Sequence, residues 1–397
     1  MRPTAKGGRR LMEHVDVLVI GGGVVGQATG YWLLREAPGL KVLVLERDPT
    51  YAEASSGLSV GGIRQQFGTA INIEIAREAV RFYERVQEEL GEDAEIGFRQ
   101  NGYLFLAGRD SWPMHRARAA LARSLGVDVQ ELAPGEIAAL VPGIATSDLA
   151  GGTFCATDGY LDPASVLGSF RRAAARLGAA QAAGEAVGFV WEGATLRQVR
   201  LKDGETIAAD RCVLCAGGLT GRLAASLGVD IPVRRLRRQV HLVLPRQPLP
   251  SGIPLTIDPT GLHFRPEAGD RLIVAHATRG DGYDLPLDWD RRSFVEEIWE
   301  PLARRVPSLA ELRLERGWAG YYDENTMDHN AIVGHLPGFL NVYLATGFSG
   351  HGLMQSPSVT RGLAELMLGG RYETLDLSPL GAERFAEGRL IVEPAVI

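Results

Sequence analysis

Apolar residues crowd together at Val15-Asp16-Val17-Leu18-Val19-Ile20, recur at helical spacing from Val24 to about Leu34, and crowd again at Val42-Leu43-Val44-Leu45. The pattern predicts a buried strand, a helix and a second buried strand, with Gly21-Gly22-Gly23 as the first turn. Residues 15–34 are nearly apolar enough to span a bilayer, but Asp16, Gln27 and the glycines among them favour strand, turn and helix instead.

Further along, helical spacing recurs from about Asn72 to Leu90 and from Ser111 to Leu125, while Gly102-Tyr103-Leu104-Phe105-Leu106 reads as a strand. Asp162-Pro163 has the chemistry of an N-cap followed by a first helical residue, opening a helix to about Leu177. Residues 186–216 predict a meander with Asp203-Gly204 as a hairpin turn, returning to a buried strand around Val213. The next turn, Ala216 to Gly221, again joins strand to helix through glycines. From 232 to 276 the pattern is strand-like and broken by prolines, predicting an antiparallel sheet, and a helix follows from about Arg291 to Arg305. Asn341-Val342-Tyr343-Leu344-Ala345 then leads through Thr346-Gly347-Phe348-Ser349-Gly350-His351-Gly352 into a last helix ending near Leu368.

Length and charge narrow the functional classes. A chain of 397 residues exceeds one ordinary core, so two interleaved domains are expected, and a net charge of −6 gives no basic footprint for nucleic acid. Three cysteines are too few for a disulfide framework and suit a reducing compartment, with the cytoplasm as the default. Cys212 and Cys215 form a CxxC, but residues three apart on a strand point to opposite faces, so neither a redox pair nor a metal ligand set is expected. The basic residues 1–11 lack an apolar signal core and read as a disordered extension, with Met12 as an alternative start.

The first glycine turn carries the most specific chemistry. Gly21 permits a positive φ, Gly23 lets backbone amides reach a pyrophosphate, and Gly26 lets helix pack closely on strand. About twenty residues on, Glu46 ends the second strand, where a carboxylate accepts hydrogen bonds from an adenosine ribose and disfavours a 2′-phosphate. This is a dinucleotide cradle that fits FAD or NAD. The late turn, Thr346 to Gly352, offers a second helix N-terminus; facing an isoalloxazine, it would stabilise the negative charge of a reduced ring, which favours FAD. No second GxGxxG exists for a nicotinamide, so the reductant is expected to be the substrate.

These segments, with Gly61-Gly62-Ile63-Arg64-Gln65-Gln66-Phe67 and Asp158-Gly159-Tyr160-Leu161-Asp162-Pro163, resemble the D-amino-acid-oxidase-type (DAO) flavoprotein superfamily over nearly the whole chain. The likeness is strongest to its sarcosine oxidase and dimethylglycine dehydrogenase branch, including L-proline dehydrogenase β subunits and FAD-dependent oxidoreductase domain-containing proteins. The resemblance implies an α/β fold in which a Rossmann-like FAD-binding domain (12–82, 150–225 and 325–385) interleaves with an antiparallel-sheet substrate domain (83–149 and 226–324). It implies FAD contacts at Gly21, Gly23, Val24, Val25, Gly26, Glu46 and Arg47, and at Ser55, Ser56, Gly57, Ser59, Gly61 and Gly62. Further contacts fall at Val187, Ala216, Gly217, Gly218, Gly347, Gly350, His351, Gly352 and Leu353. The implied reaction moves a hydride from the carbon beside nitrogen of a small amino acid or amine to flavin N5, leaving an imine that water hydrolyses.

Departures from that pattern shape the expectation. Some members attach flavin through a histidine near Leu58 or a cysteine near Gly320; neither nucleophile is present, so non-covalent FAD is expected. A substrate-carboxylate lysine found in relatives is Met354 here, and none of Lys6, Lys41 and Lys202 matches the lysine that promotes reaction with oxygen, which favours another electron acceptor. Arg64 is the first candidate for gripping a substrate carboxylate, and Tyr322 and His351 for lining the pocket; His241 and His276 fall on strands of the expected substrate sheet. Hydride transfer from an amine needs alignment more than a strong base. Two other readings compete: a 2-hydroxy-acid dehydrogenase, which needs a base for the hydroxyl proton, and a non-catalytic flavin-bound assembly factor. Partners are a small substrate, oxygen or another acceptor, and, as in some relatives, a second subunit; no membrane span is expected.

Overall fold

The computed structural model describes residues 14–393; the expected N-terminal extension lies outside them. The strand His14–Ile20 feeds through the glycine turn into the helix Val24–Glu36, and Val42–Glu46 returns beside the first strand in parallel. Thr206–Leu214 pairs with the other edge of His14–Ile20, also in parallel, and carries Val342–Thr346 beyond it. The resulting sheet has eight strands. Its central strands are buried on both faces, which is why their sequences are almost uninterruptedly apolar. The helices Val24–Glu36, Pro163–Arg176 and Gly352–Gly369 pack together on one face, and the meander Ala186–Glu192 and Thr195–Leu201 extends from Thr206–Leu214.

The second sheet has nine strands, centred on the long antiparallel pair Val233–Pro245 and Leu312–Asn325. Arg271–Ala275, His263–Glu267, Leu255–Ile257, Tyr103–Gly108 and Leu149–Cys155 follow in order, antiparallel except where Leu255–Ile257 runs parallel to Tyr103–Gly108. One face covers a core of Leu104, Val243, Phe264, Val274, Phe294 and Ile298. The other faces the first sheet's domain. The sequence reading of an α/β fold with a Rossmann-like unit and an antiparallel sheet agrees with this architecture.

Local chemistry explains several boundaries. Asp162 caps its helix by accepting a hydrogen bond from the Ser165 amide at 2.6 Å, with Pro163 at the first position. The Asn72-to-Leu90 stretch is two helices, Ala70–Glu84 and Val86–Leu90, divided at Arg85, whose amide bonds the nearer Phe82 carbonyl at 3.1 Å. The expected helix from Arg291 to Arg305 is likewise interrupted: Phe294–Ile298 is a π turn, followed by Trp299–Arg305. Pro301 lacks an N–H and its ring crowds the carbonyl four residues earlier, so a regular ladder cannot pass through this stretch. Cys212 and Cys215 are buried free thiols belonging to opposite faces of the parallel sheet. Among the described residues no helix is long and apolar enough to cross a membrane.

Candidate functional site

At the first turn, Gly21 has φ +104° and a Cβ there would stand 2.3 Å from the Cys215 carbonyl oxygen; one on Gly26 would stand 1.8 Å from the Gly21 oxygen. The glycines therefore let three backbone segments meet. The helix N-cap is Gly23, which has no side chain to close the first turn's amides, and among the described residues only Val24 N is engaged from outside, by Ser56 Oγ at 3.0 Å. Glu46 holds the turn from the neighbouring strand, with Oε2 accepting from Gly22 N at 2.7 Å and Oε1 from Asp48 N at 2.9 Å.

The turn opens into a cavity of about 600 Å³. Gly21, Gly23, Val24 and Val25 line it with Glu46 and Arg47 at one end, and Val187, Ala216, Gly217 and Gly218 bound the same half. Ser55, Ser56, Ser59 and Gly62 lie along its side. At the far end stand Gly350, His351, Gly352 and Leu353, with Arg64 and Tyr322. Four other predicted residues do not line the cavity: Gly26 and Gly61 are backbone-packing positions against Gly21 and Leu161, Gly57 is exposed, and Gly347 packs against Ile332, Val233 and Asn325.

The late turn needs left-handed backbone at Gly347 (φ 70°), Ser349 (φ 49°) and Gly350 (φ 90°). Ser349 tolerates it because its amide donates to the Asp323 carbonyl at 3.0 Å and its Oγ accepts from Asn325 N at 3.0 Å. A Cβ on Gly350 would come within 2.6 Å of the Tyr322 ring, so the turn and the Leu312–Asn325 strand touch through this glycine. Asp323 accepts from the Phe348 amide at 3.1 Å, and burial pushes its carboxyl up to about 7. The helix Gly352–Gly369 starts without a side-chain cap, leaving a second donor-rich helix end at the cavity. Pro357 inside that helix leaves the Leu353 carbonyl without its usual partner, and Tyr83 Oη supplies one at 2.6 Å.

Arg64 is 1% exposed, held by the Gln66 carbonyl at 2.6 Å and by His351 Nε2 at 2.9 Å, with its guanidinium 4.2 Å from the Phe67 ring centroid. Since Arg64 only donates, His351 Nε2 must accept, and burial with the adjoining guanidinium keeps His351 neutral. Asp158 steadies the same segment through the Gln65 amide at 3.0 Å; burial raises its carboxyl to about 6. His241 faces the opposite side of the sheet, accepting from Trp289 Nε1 at 3.1 Å beside Phe294, whereas His276, one residue past its strand, lines the cavity. Leu58 and Gly320, far apart in sequence, adjoin one another in the cavity wall.

Sequence reasoning missed several polar residues of this wall, Arg238 and His263 among them. Arg238 reaches Asp281 Oδ2 at 3.3 Å while its buried Nε has no partner among the described residues. His263 sits on the cavity side of its strand, with Nδ1 3.0 Å from the Gly261 carbonyl. Strand alternation was the available signal, but both faces of this sheet are covered, so it did not say which face was the site.

Uncapped helix ends, glycine-surfaced walls and the Glu46 carboxylate make a trough with the donor and acceptor chemistry of an adenine dinucleotide, so the residues present fit FAD. A family model described as FAD dependent oxidoreductase (DAO) matches residues 16–366. FAD-dependent oxidoreductase domain-containing protein 1 of Xenopus laevis is 34% identical, over 97% of this chain and 85% of its own length. Glycine oxidase of Geobacillus kaustophilus is 26% identical, over 94% of this chain and 98% of its own. The crystal structure of L-proline dehydrogenase from P. horikoshii superposes with a TM-score of 0.86 at 27% identity, covering 96% of this chain and 100% of that one.

Proposed function

Because the chain belongs to the FAD-dependent oxidoreductase (DAO) family, we propose that it oxidises a small amino acid or a secondary or tertiary amine at the carbon next to nitrogen, with FAD held non-covalently. One observation carries the reading: two uncapped helix ends, over three hundred residues apart in sequence, open on the same cavity, and its far end carries Arg64, Arg238, His263 and Tyr322. FAD, when bound, supplies the acceptor of two electrons. The first helix end and Glu46 would hold the dinucleotide, and Ser55, Ser56, Ser59, Gly62 and Gly350 to Leu353 would hold the ring, to which Leu58 and Gly320 offer no nucleophile.

Arg64 contributes a fixed positive charge for a carboxylate, positioned by His351 and the Gln66 carbonyl. Arg238 adds a second guanidinium from the strand Val233–Pro245, its Cζ 5.9 Å from the Tyr322 ring centroid. A second reading, oxidation of a 2-hydroxy acid, draws on His263, whose Nε2 can accept a hydrogen bond from a hydroxyl.

Anaerobic mixing of the flavin-loaded protein with sarcosine, dimethylglycine, proline, D-amino acids and 2-hydroxy acids tests these readings. Bleaching of the visible flavin bands by an amine supports the first, bleaching by hydroxy acids alone supports the second, and bleaching by none refutes both and leaves a non-catalytic flavoprotein.

A further inference from the structure

We infer that His263 accepts a hydrogen bond from the substrate and that the site thereby selects primary and secondary amines, which keep an N–H when neutral, over tertiary ones. The inference rests on the amine reading above.

A single row of cross-strand neighbours spans the second sheet: Phe105, Ile257, His263, Ala275, Val240 and Trp318. Directly paired residues share a face, and Val240, Ala275 and His263, the middle of the row, line the cavity and form part of its floor. Five of its six members are apolar, and within this row, among the described residues, His263 is the cavity-lining member that offers a ligand a hydrogen-bonding group.

The imidazole's role is fixed by its other nitrogen. The Gly261 carbonyl can only accept, so at 3.0 Å from it Nδ1 carries the proton and Nε2 presents a lone pair. Among the described residues that is His263's one side-chain hydrogen bond, and the ring borders the cavity. Burial holds the imidazole down to about 4, and the positive charges of Arg64 and Arg238 act in the same direction. At neutral pH the residue therefore accepts and does not donate. A buried acceptor discriminates strongly against a ligand that brings no donor, because its own hydrogen bond is then lost.

Pyrrole-2-carboxylate and 2-furoate test this directly: they share shape and charge, resist oxidation, and differ in offering a ring N–H or a ring oxygen. Their dissociation constants are read from the visible absorption of the flavin-loaded protein. The wild type is expected to bind the pyrrole at least about tenfold more tightly, the equivalent of one hydrogen bond. His263→Phe should bring the ratio to about one, and His263→Gln, which keeps an acceptor, should preserve part of it. Equal affinities in the wild type, or a preference that survives His263→Phe, overturn the inference. Should His263→Phe fail to retain flavin, the wild-type ratio and His263→Gln decide. Equal binding of both probes while amines still bleach the flavin defeats this inference alone; absence of bleaching by any amine defeats the reading beneath it.

Discussion

Gly26 has no room for a methyl group, since its Cβ would lie 1.8 Å from the Gly21 oxygen, inside the turn that shapes the cradle. Gly26→Ala is expected to push the helix off the strand, giving protein with markedly less than one flavin per chain by the ratio of visible to ultraviolet absorbance. Asp158 sits at the other electrostatic extreme. It is fully buried, its Oδ2 has no partner among the described residues, and burial raises its carboxyl from 3.8 to about 6. In that window the folded protein holds a proton that the unfolded chain has released, so stability falls as pH rises from about 4 to about 6. Asp158→Asn removes this dependence: relative to the variant, the wild type should lose on the order of 2 kcal/mol across the window in urea unfolding. Asp158 was visible in the sequence only as part of a motif. Its burial and its grip on Gln65, next to Arg64, come from strands that pair far from it in sequence.

Elements followed the sequence where the controlling chemistry is local. The Asp162 cap and the Asp203-Gly204 hairpin are each decided by a few adjoining residues, and Asp162→Ala should cost about 1 kcal/mol in chemical denaturation. The π turn at Phe294–Ile298 was missed because helical spacing of apolar residues continues through it, and the penalty for Pro301 can be met by loosening the ladder instead of ending the helix. The closing segment illustrates long-range control. Arg384 is 1% exposed and bonds both oxygens of Asp328, at 2.8 and 3.0 Å, while Glu393 accepts from Gly68 N, Thr69 Oγ1 and Asn72 Nδ2. The end of the described chain is thereby tied beside the Arg64 segment. Arg384→Met strands a buried carboxylate and should cost about 3–5 kcal/mol in urea unfolding.

For the whole molecule, two sheets enclose one cavity, and FAD within it would touch the parallel sheet's turns, the late helix and the antiparallel sheet together. A ligand that binds only the folded chain stabilises it by mass action, by about 4 kcal/mol at a thousandfold excess over its dissociation constant. Stripping FAD should therefore lower the Tm by several degrees, and re-addition should restore it in a concentration-dependent manner by differential scanning fluorimetry. A Tm indifferent to FAD would contradict a cavity shared by both sheets.

The amino-acid order by itself determined the cradle and the alternation of buried strands and helices. Val15 to Glu46 contains its own turn, helix and carboxylate, and short-range backbone geometry leaves such a segment few other shapes. Only the tertiary structure decided which residues line the cavity. His263 and Arg238 reach it through the register of a nine-stranded sheet, and His241, equally plausible in the sequence, is turned to the opposite core by the same alternation. Both faces of that sheet are buried, so hydrophobic pattern could not label one as cavity; the packing of the second domain against it did.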